Sequence, residues 1–77
     1  MSNDKDNYKG WEAAFLGKQD NDMWLDQVEL NAVIGTFPFD LKSVYGVQTK
    51  IEKFKTREEA IQSGFKKARA FIDQHTR

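Results

Sequence analysis

The chain has 77 residues, with twelve basic and twelve acidic side chains, one histidine and no cysteine. This length allows one domain, and without cysteine there are no disulfides or thiolate metal sites, so apolar packing must hold the fold. Six Phe, two Trp and two Tyr supply large side chains for that core. The zero net charge gives no overall field that attracts nucleic acid or an anionic membrane, and we expect neither a metal site nor a cofactor.

The N-terminus indicates where the folded part begins. Residues 1–7, MSNDKDN, are polar and offer nothing to bury, so we expect a disordered tail there and a single domain over residues 8–77. The tail lacks the apolar stretch of a signal peptide, and no run approaches the roughly 18 apolar residues of a spanning helix. These features predict a cytoplasmic protein without a membrane segment.

The first predicted strand covers residues 8–16. Trp11, Ala13 and Phe15 recur at every second position, which is the period of a strand with one buried face. The next stretch, GKQDND at residues 17–22, is rich in side chains that favour turn conformations. It predicts a hairpin loop.

Residues 22–34 are compatible with a strand or a helix. Apolar side chains share one parity from Trp24 to Ile34, as in a half-buried strand. In a helix, Asp22 would be the N-cap and an apolar face would form as well. We favour the strand because the alternation is regular from Asp26 onward.

The following segment contains the only proline of the chain. Because Pro38 has no N–H to donate to a ladder, residues 36–43 are predicted to be an edge strand or a connecting loop. Residues 45–54 again alternate apolar and polar side chains, and they predict a further strand that ends near Phe54.

A helix is predicted at the C-terminus. Thr56 and Glu59 form the Thr-x-x-Glu pattern of a capping box at its start. One face is apolar and suited to a core, and Gly64 within that face predicts a close approach to the sheet. The opposite face carries charges of both signs, which is typical of a solvated surface. The apolar face consists of Ala60, Ile61, Gly64, Phe65, Ala68, Phe71 and Ile72.

These elements together predict an α+β domain. Its antiparallel sheet has three to four strands in a β-meander and is packed by one C-terminal α-helix. The helix covers one face of the sheet, so the second face, with the thin apolar set Tyr8, Ala14 and Leu16, stays open. A homodimer through that face or through an open edge strand is therefore a further hypothesis.

Two short motifs resemble a known group of proteins. YKGW at residues 8–11 and KKARAFIDQ at residues 66–74 are similar to the ends of small bacterial proteins grouped as HlyU-like. The order of strands followed by a capped C-terminal helix also resembles short uncharacterised bacterial and phage proteins. The HlyU-like resemblance implies a role in transcriptional activation, and it assigns no functional residue to this chain.

The polar residues offer few candidates for catalysis or metal binding. DNDMWLD at residues 20–26 has oxygen ligands that calcium prefers, but it lacks the glycine and the distant glutamate of an EF-hand loop, which favours a plain hairpin loop. His75 has no nucleophile or carboxylate partner that the sequence can name, so we interpret it as part of a frayed terminus or as a cation at the helix C-terminus. With no glycine-rich phosphate loop either, we expect no enzymatic activity.

Two sets of side chains are candidates for binding. Phe37 and Phe39 flank the proline, and if the core does not use them they form, with Trp24, an aromatic anchor for a partner. We therefore predict a small non-enzymatic interaction or regulatory module that binds a protein partner through a sheet edge or exposed aromatics. The alternative is a transcription-associated regulator that contacts nucleic acid, the less favoured partner, through a local basic cluster. The basic cluster consists of Lys50, Lys53, Lys55 and Arg57.

Overall fold

The computed structural model describes residues 4–32 and 49–75 of the chain. Its elements are β1 (Lys5–Tyr8), β2 (Trp11–Phe15), β3 (Gln19–Asp20), β4 (Met23–Leu25), β5 (Val28–Ala32), β6 (Lys53–Phe54) and the helix α1 (Arg57–His75). Over the described residues, the strands form two antiparallel three-stranded sheets, in the orders β1-β2-β5 and β3-β4-β6. The predicted α+β class with one C-terminal helix is confirmed, with the strands divided between two small sheets.

One long antiparallel hairpin, here called the central ribbon (β2 to β5), runs through both sheets. β2 pairs with β5 and β3 pairs with β4 in one continuous register. The ribbon reverses at Asn21 and Asp22, whose positive φ angles of 52° and 65° are those of a type I′ turn. The reversal predicted within residues 17–22 is therefore confirmed, although Gln19 and Asp20 of that stretch belong to β3.

A second hairpin joins β1 to β2. Lys9 and Gly10 form its two-residue turn, with φ angles of 50° and 82°. Because β1 begins at Lys5, the prediction that residues 1–7 form a tail and that order begins at Tyr8 is wrong for the described part of that tail. The physical reason is that aspartates in and before β1 pair with arginines of the helix, so polar residues of this segment are held against the domain.

The ambiguous residues 22–34 form strands where the structure describes them. β4 and β5 both lie in this range and are joined by Asp26 and Gln27. Val28 and Leu30 are buried and Glu29 between them is half-buried, which confirms the predicted alternation. Pairing with β2 favours the strand over the helix, because a strand buries this alternating set and a helix would not. Residues 33 and 34 lie outside the described part.

The strand predicted over residues 45–54 is much shorter in the structure. Only Lys53 and Phe54 form strand β6, and the described residues 49–52 precede it outside any strand. Ile51, an apolar member of the predicted alternation, is 45% exposed. Residues 45–48 and the proline segment 36–43 lie outside the described residues.

The helix begins as the sequence predicts. Thr56 Oγ1 accepts a hydrogen bond from the Glu59 backbone N–H at 3.2 Å and donates one to Glu59 Oε1 at 3.0 Å. The predicted apolar face is buried except for Phe65, which is half-buried against the core. A Cβ on Gly64 would lie only 2.6 Å from the carbonyl oxygen of Asp26, so the predicted close approach to the sheet is confirmed.

The core lies between the helix and one face of the sheet β1-β2-β5. Leu30 and Ile72 are the largest fully buried side chains, each 1% exposed. Tyr8 also packs against this core, because the two-residue turn places it opposite Trp11, and the prediction that Tyr8 lies on the outer face is wrong. By strand alternation, the outer face of this sheet is mostly polar. It carries Lys5, Asn7, Glu12, Ala14, Glu29 and Asn31.

Candidate functional site

The predicted aromatic anchor is only partly within the described residues. Phe37 and Phe39 lie outside them. Trp24 is half-buried, with its ring centroid 6.5 Å from that of Phe15, and it packs against the core. Part of Trp24 therefore stabilises the ribbon.

The predicted basic cluster does not form a continuous cationic surface. Lys53 Nζ lies 2.6 Å from a carboxylate oxygen of Asp20, and the guanidinium of Arg57 pairs with Asp4. Lys55 is exposed. Because carboxylates from other elements neutralise two of these cations, the positive field around this connection is weaker than the sequence suggested.

The most unusual polar group of the described residues is Asp26, which was predicted only as part of a loop and of a strand. Its side chain is 1% exposed, in the middle of the contact between the ribbon and the helix. The carboxylate accepts hydrogen bonds from Ser63 Oγ at 2.7 Å and from the Glu52 backbone N–H at 2.8 Å, and it pairs with Lys67 Nζ at 2.7 Å. A buried carboxylate needs such partners, since burial of an unpaired charge is strongly unfavourable.

Lys67 connects three groups at this position. Its ammonium contacts Asp26, the Glu52 carboxylate at 2.6 Å and the Lys50 carbonyl oxygen at 3.0 Å. An ammonium has three N–H donors, and these three acceptors match that number. Lys67 therefore ties the residues before β6 to the helix and, through Asp26, to the ribbon.

Both charges of this pair are stabilised. Burial opposes ionisation of Asp26, but hydrogen bonds from Lys67, the Glu52 N–H and Ser63 outweigh it and lower the pKa of the carboxyl. Burial likewise opposes the charge on Lys67, and the hydrogen bonds to Asp26 and Glu52 outweigh it and raise the pKa of the ammonium. Near neutral pH the pair is ionised and neither group is suited to proton transfer. The pair instead holds two backbone groups in place, the Glu52 N–H and the Lys50 carbonyl.

One signal in the sequence pointed to this cluster. Asp26 has the same parity as Val28 and Leu30, which face the core, so strand alternation alone places a carboxylate inward. Ser63 and Lys67 are four residues apart in the helix and therefore lie on one side of it. Because the two halves are far apart in the sequence, only the tertiary structure brings them together.

A second polar cluster joins the first hairpin to the end of the helix. Arg69 holds Asp6 through two hydrogen bonds of 2.7 and 2.8 Å, and its guanidinium lies 4.8 Å from the centre of the Tyr8 ring. The Tyr8 hydroxyl donates a hydrogen bond to the Asp73 carboxylate at 2.9 Å, and Lys9 forms an ion pair with the same carboxylate. The charges of this helix face were expected to be solvated, but Arg69 and Asp73 bind the hairpin.

His75 has a structural contact at the end of the helix. Its Nδ1 lies 3.0 Å from the Phe71 carbonyl oxygen, and its ring centroid is 4.2 Å from that of Phe71. It is the last helical residue, a position where a side chain can satisfy a terminal carbonyl group. His75 therefore lies at the helix C-terminus with its ring against a terminal carbonyl group, and its interpretation as a cation there stays a prediction.

Comparisons with protein-family models, with curated proteins and with solved structures found no match to this chain. Among the described residues, no helix has both the length and the apolar character required to span a membrane.

Proposed function

We propose that the protein is a small non-enzymatic interaction module that binds an extended segment of a protein partner along the edge of β5. The observation that carries the proposal is the position of β5. Within the described residues, β2 pairs with one side of β5 and no strand pairs with the other. An edge strand presents a row of N–H and C=O groups that another chain can pair with.

The backbone geometry identifies which groups face this open side. The Leu16 N–H donates to the Gln27 carbonyl at 3.2 Å, so Gln27 faces β2. In an antiparallel pair successive residues alternate between the two sides. Val28 and Leu30 therefore direct their N–H and C=O groups toward the open edge.

Strand addition supplies affinity through main-chain hydrogen bonds, and side-chain pockets supply specificity. The half-buried Trp24 lies in β4, which directly precedes β5 along the ribbon. Phe37 and Phe39 follow β5 closely in the sequence, which supports a role for them as the aromatic anchor of the same interface.

The edge is tested with Ala32→Pro. Ala32 is exposed, and by alternation its N–H faces the open edge, so proline removes an edge donor and leaves the β2 ladder intact. In pull-downs from the native host, a partner captured by the wild type should be lost with Ala32→Pro and retained with the control Ala32→Val. Equal capture by both variants, with unchanged far-UV circular dichroism, would refute docking at this edge.

The aromatic anchor is tested separately. Phe37 and Phe39 changed together to Ala should abolish capture of the partner while the far-UV circular dichroism spectrum stays unchanged. Loss of the spectrum instead would show that these rings are part of the core. Leu16→Ala, which truncates an exposed apolar side chain elsewhere, is the matched control.

The alternative function is nucleic-acid binding through Lys50, Lys53, Lys55 and Arg57. The ion pairs of Lys53 and Arg57 weigh against it. A gel-shift series separates the two proposals, because phosphate contacts weaken steeply with added salt. Our proposal expects no shift at low salt, and a shift that disappears as salt is added would favour the alternative.

A further inference from the structure

The pairing between β4 and β6 stops just before it reaches β5. Leu25 of β4 faces Lys53 of β6 in antiparallel register. Continued in the same register, Glu52 would lie opposite Asp26 and Lys50 opposite Val28. β6 could therefore extend along the open edge of β5, using the residues that precede it, here called the strap (residues 49–52).

Of the two backbone hydrogen bonds that the first added pair, Asp26 and Glu52, would form, one is present. The Asp26 N–H donates to the Glu52 carbonyl at 3.1 Å, as a regular ladder requires. The reciprocal bond is diverted, because the Glu52 N–H donates to the Asp26 carboxylate at 2.8 Å. In a regular ladder it would donate to the Asp26 carbonyl, the oxygen that lies close to Gly64 of the helix.

The next hydrogen bond of the longer ladder is replaced by a contact with Lys67. In the extended register, the Val28 N–H would donate to the Lys50 carbonyl. That carbonyl instead accepts a hydrogen bond from Lys67 Nζ at 3.0 Å. Asp26 and Lys67, which bind each other at 2.7 Å, thus hold one donor and one acceptor of the longer ladder in other hydrogen bonds.

We propose that the Asp26–Lys67 pair is a clamp that holds the strap away from β5, and that release of the clamp lets the strap extend β6 as far as Val28 and occupy the start of the docking edge. This inference rests on the proposed function of that edge. With the clamp closed, the edge is open to a partner. With the clamp released, the strap pairs with Val28 and competes with the partner for the start of the edge.

The composition and surroundings of the strap suit this exchange. Ile51 is 45% exposed and the Glu52 side chain is 54% exposed, so little apolar burial holds the strap in place. Thr49 and Ile51 are β-branched and favour strands. Segments with few buried apolar contacts open at low free-energy cost, without unfolding of the rest of the domain.

The test uses the double variant Asp26→Asn/Lys67→Met in the chain without a partner. Removing both charges leaves neither one buried and unpaired. In the extended register, Gln27 and Ile51 form a non-hydrogen-bonded pair with closely spaced Hα atoms. NMR should show a Gln27–Ile51 Hα–Hα contact in the variant. The hydrogen-exchange rate of the Val28 amide should be at least about tenfold lower than in the wild type. Lys66→Met, at the exposed neighbouring position, should show neither change.

A wild-type pattern in a folded double variant, with no Gln27–Ile51 contact and fast exchange at Val28, would overturn the proposal. The Phe15–Val28 Hα–Hα contact within the ribbon reports that the fold is intact. If the double variant does not fold, Lys67→Gln gives the same readout, since its uncharged amide has two N–H donors and cannot serve three acceptors. The experiment needs no partner, so its failure leaves docking at β5 standing, and failure of the Ala32→Pro test leaves the clamp standing.

Discussion

The two sheets share one ribbon but are stabilised in different ways. In β1-β2-β5, the central strand β2 buries every second side chain against the helix. In β3-β4-β6, the strands have two or three residues, and none of them is fully buried. Besides the half-buried Trp24 and Phe54, polar contacts hold this second sheet, with Lys53 paired to Asp20 and the buried Asp26 paired to Lys67.

The difference shows how unevenly a small domain is stabilised. Full burial of a large apolar side chain contributes about 1.5–3 kcal/mol, whereas an exposed ion pair contributes about 0–1 kcal/mol. The sheet β1-β2-β5 should therefore open only with the whole domain, and β3-β4-β6 should open locally at lower free energy. The proposed docking edge and its strap lie at the junction between these two sheets.

The largest contrast is expected from matched leucine truncations in the two sheets. Leu30→Ala removes a fully buried side chain of β5 and should lower the free energy of unfolding by about 3 kcal/mol. Leu25→Ala removes a half-buried one of β4 and should cost about 1 kcal/mol. Urea unfolding followed by circular dichroism measures both. Equal losses would mean that the second sheet is packed as tightly as the first.

A smaller effect is expected where the helix meets the ribbon. In Gly64→Ala, the new Cβ would lie 2.6 Å from the Asp26 carbonyl oxygen and 2.8 Å from Val28 Cγ1. The backbone oxygen cannot move aside easily, so we expect a net loss of about 2 kcal/mol from overpacking, although alanine favours an isolated helix by about 1 kcal/mol. The exposed Gln62→Ala on the same helix should change stability little, and a stabilised Gly64→Ala would contradict the close approach.

The smallest effects concern the carboxylates, and they depend on pH. The pKa of Asp26 is below its ordinary value of 3.8, so its contribution is complete above that pH and is lost as the pH falls through the lower pKa of the folded state. Asp26→Asn should cost about 1.5 kcal/mol at neutral pH, through weaker hydrogen bonds to charged groups. The difference from the wild type should shrink as the pH falls below 3.8.

Asp6 provides a half-buried counterpart in the other sheet, paired with an exposed arginine. Its hydrogen bond from Arg69 holds the pKa of this carboxyl below its ordinary value, so the sign of the pH dependence is the same. Because the Arg69 side chain is 51% exposed, salt should screen the pair. Unfolding in 1 M salt should therefore abolish most of the effect of Asp6→Asn and preserve that of Asp26→Asn. Equal salt sensitivity would mean that Asp26 is solvated.

Local patterns were enough to predict the elements with apolar periodicity. The capping box set the start of the helix, and the spacing of its apolar residues gave the buried face. Alternation identified β2 and β5. By contrast, β1 carries mostly polar side chains, and its partners are arginines far along the chain, so no local pattern could reveal it.

The candidate site was the least predictable part. Phe37 and Phe39 were predicted from their chemistry and lie outside the described residues. Lys53 and Arg57 form ion pairs with Asp20 and Asp4, which weaken the positive field of the predicted basic cluster. The Asp26–Lys67 clamp depends on three segments that meet only in the folded domain. An inward-facing aspartate marks such a cluster in the sequence but does not name its partners.

By itself, the sequence determined the fold class, the helix and its cap, and the buried faces of the main strands, because each of these depends on residues within a few positions of one another. Only the tertiary structure decided the division into two sheets, the inward position of Tyr8 and the diversion of the strap from β5. Those features depend on pairing between distant backbone groups and charges, and the free energy of such pairing is set by which segments meet.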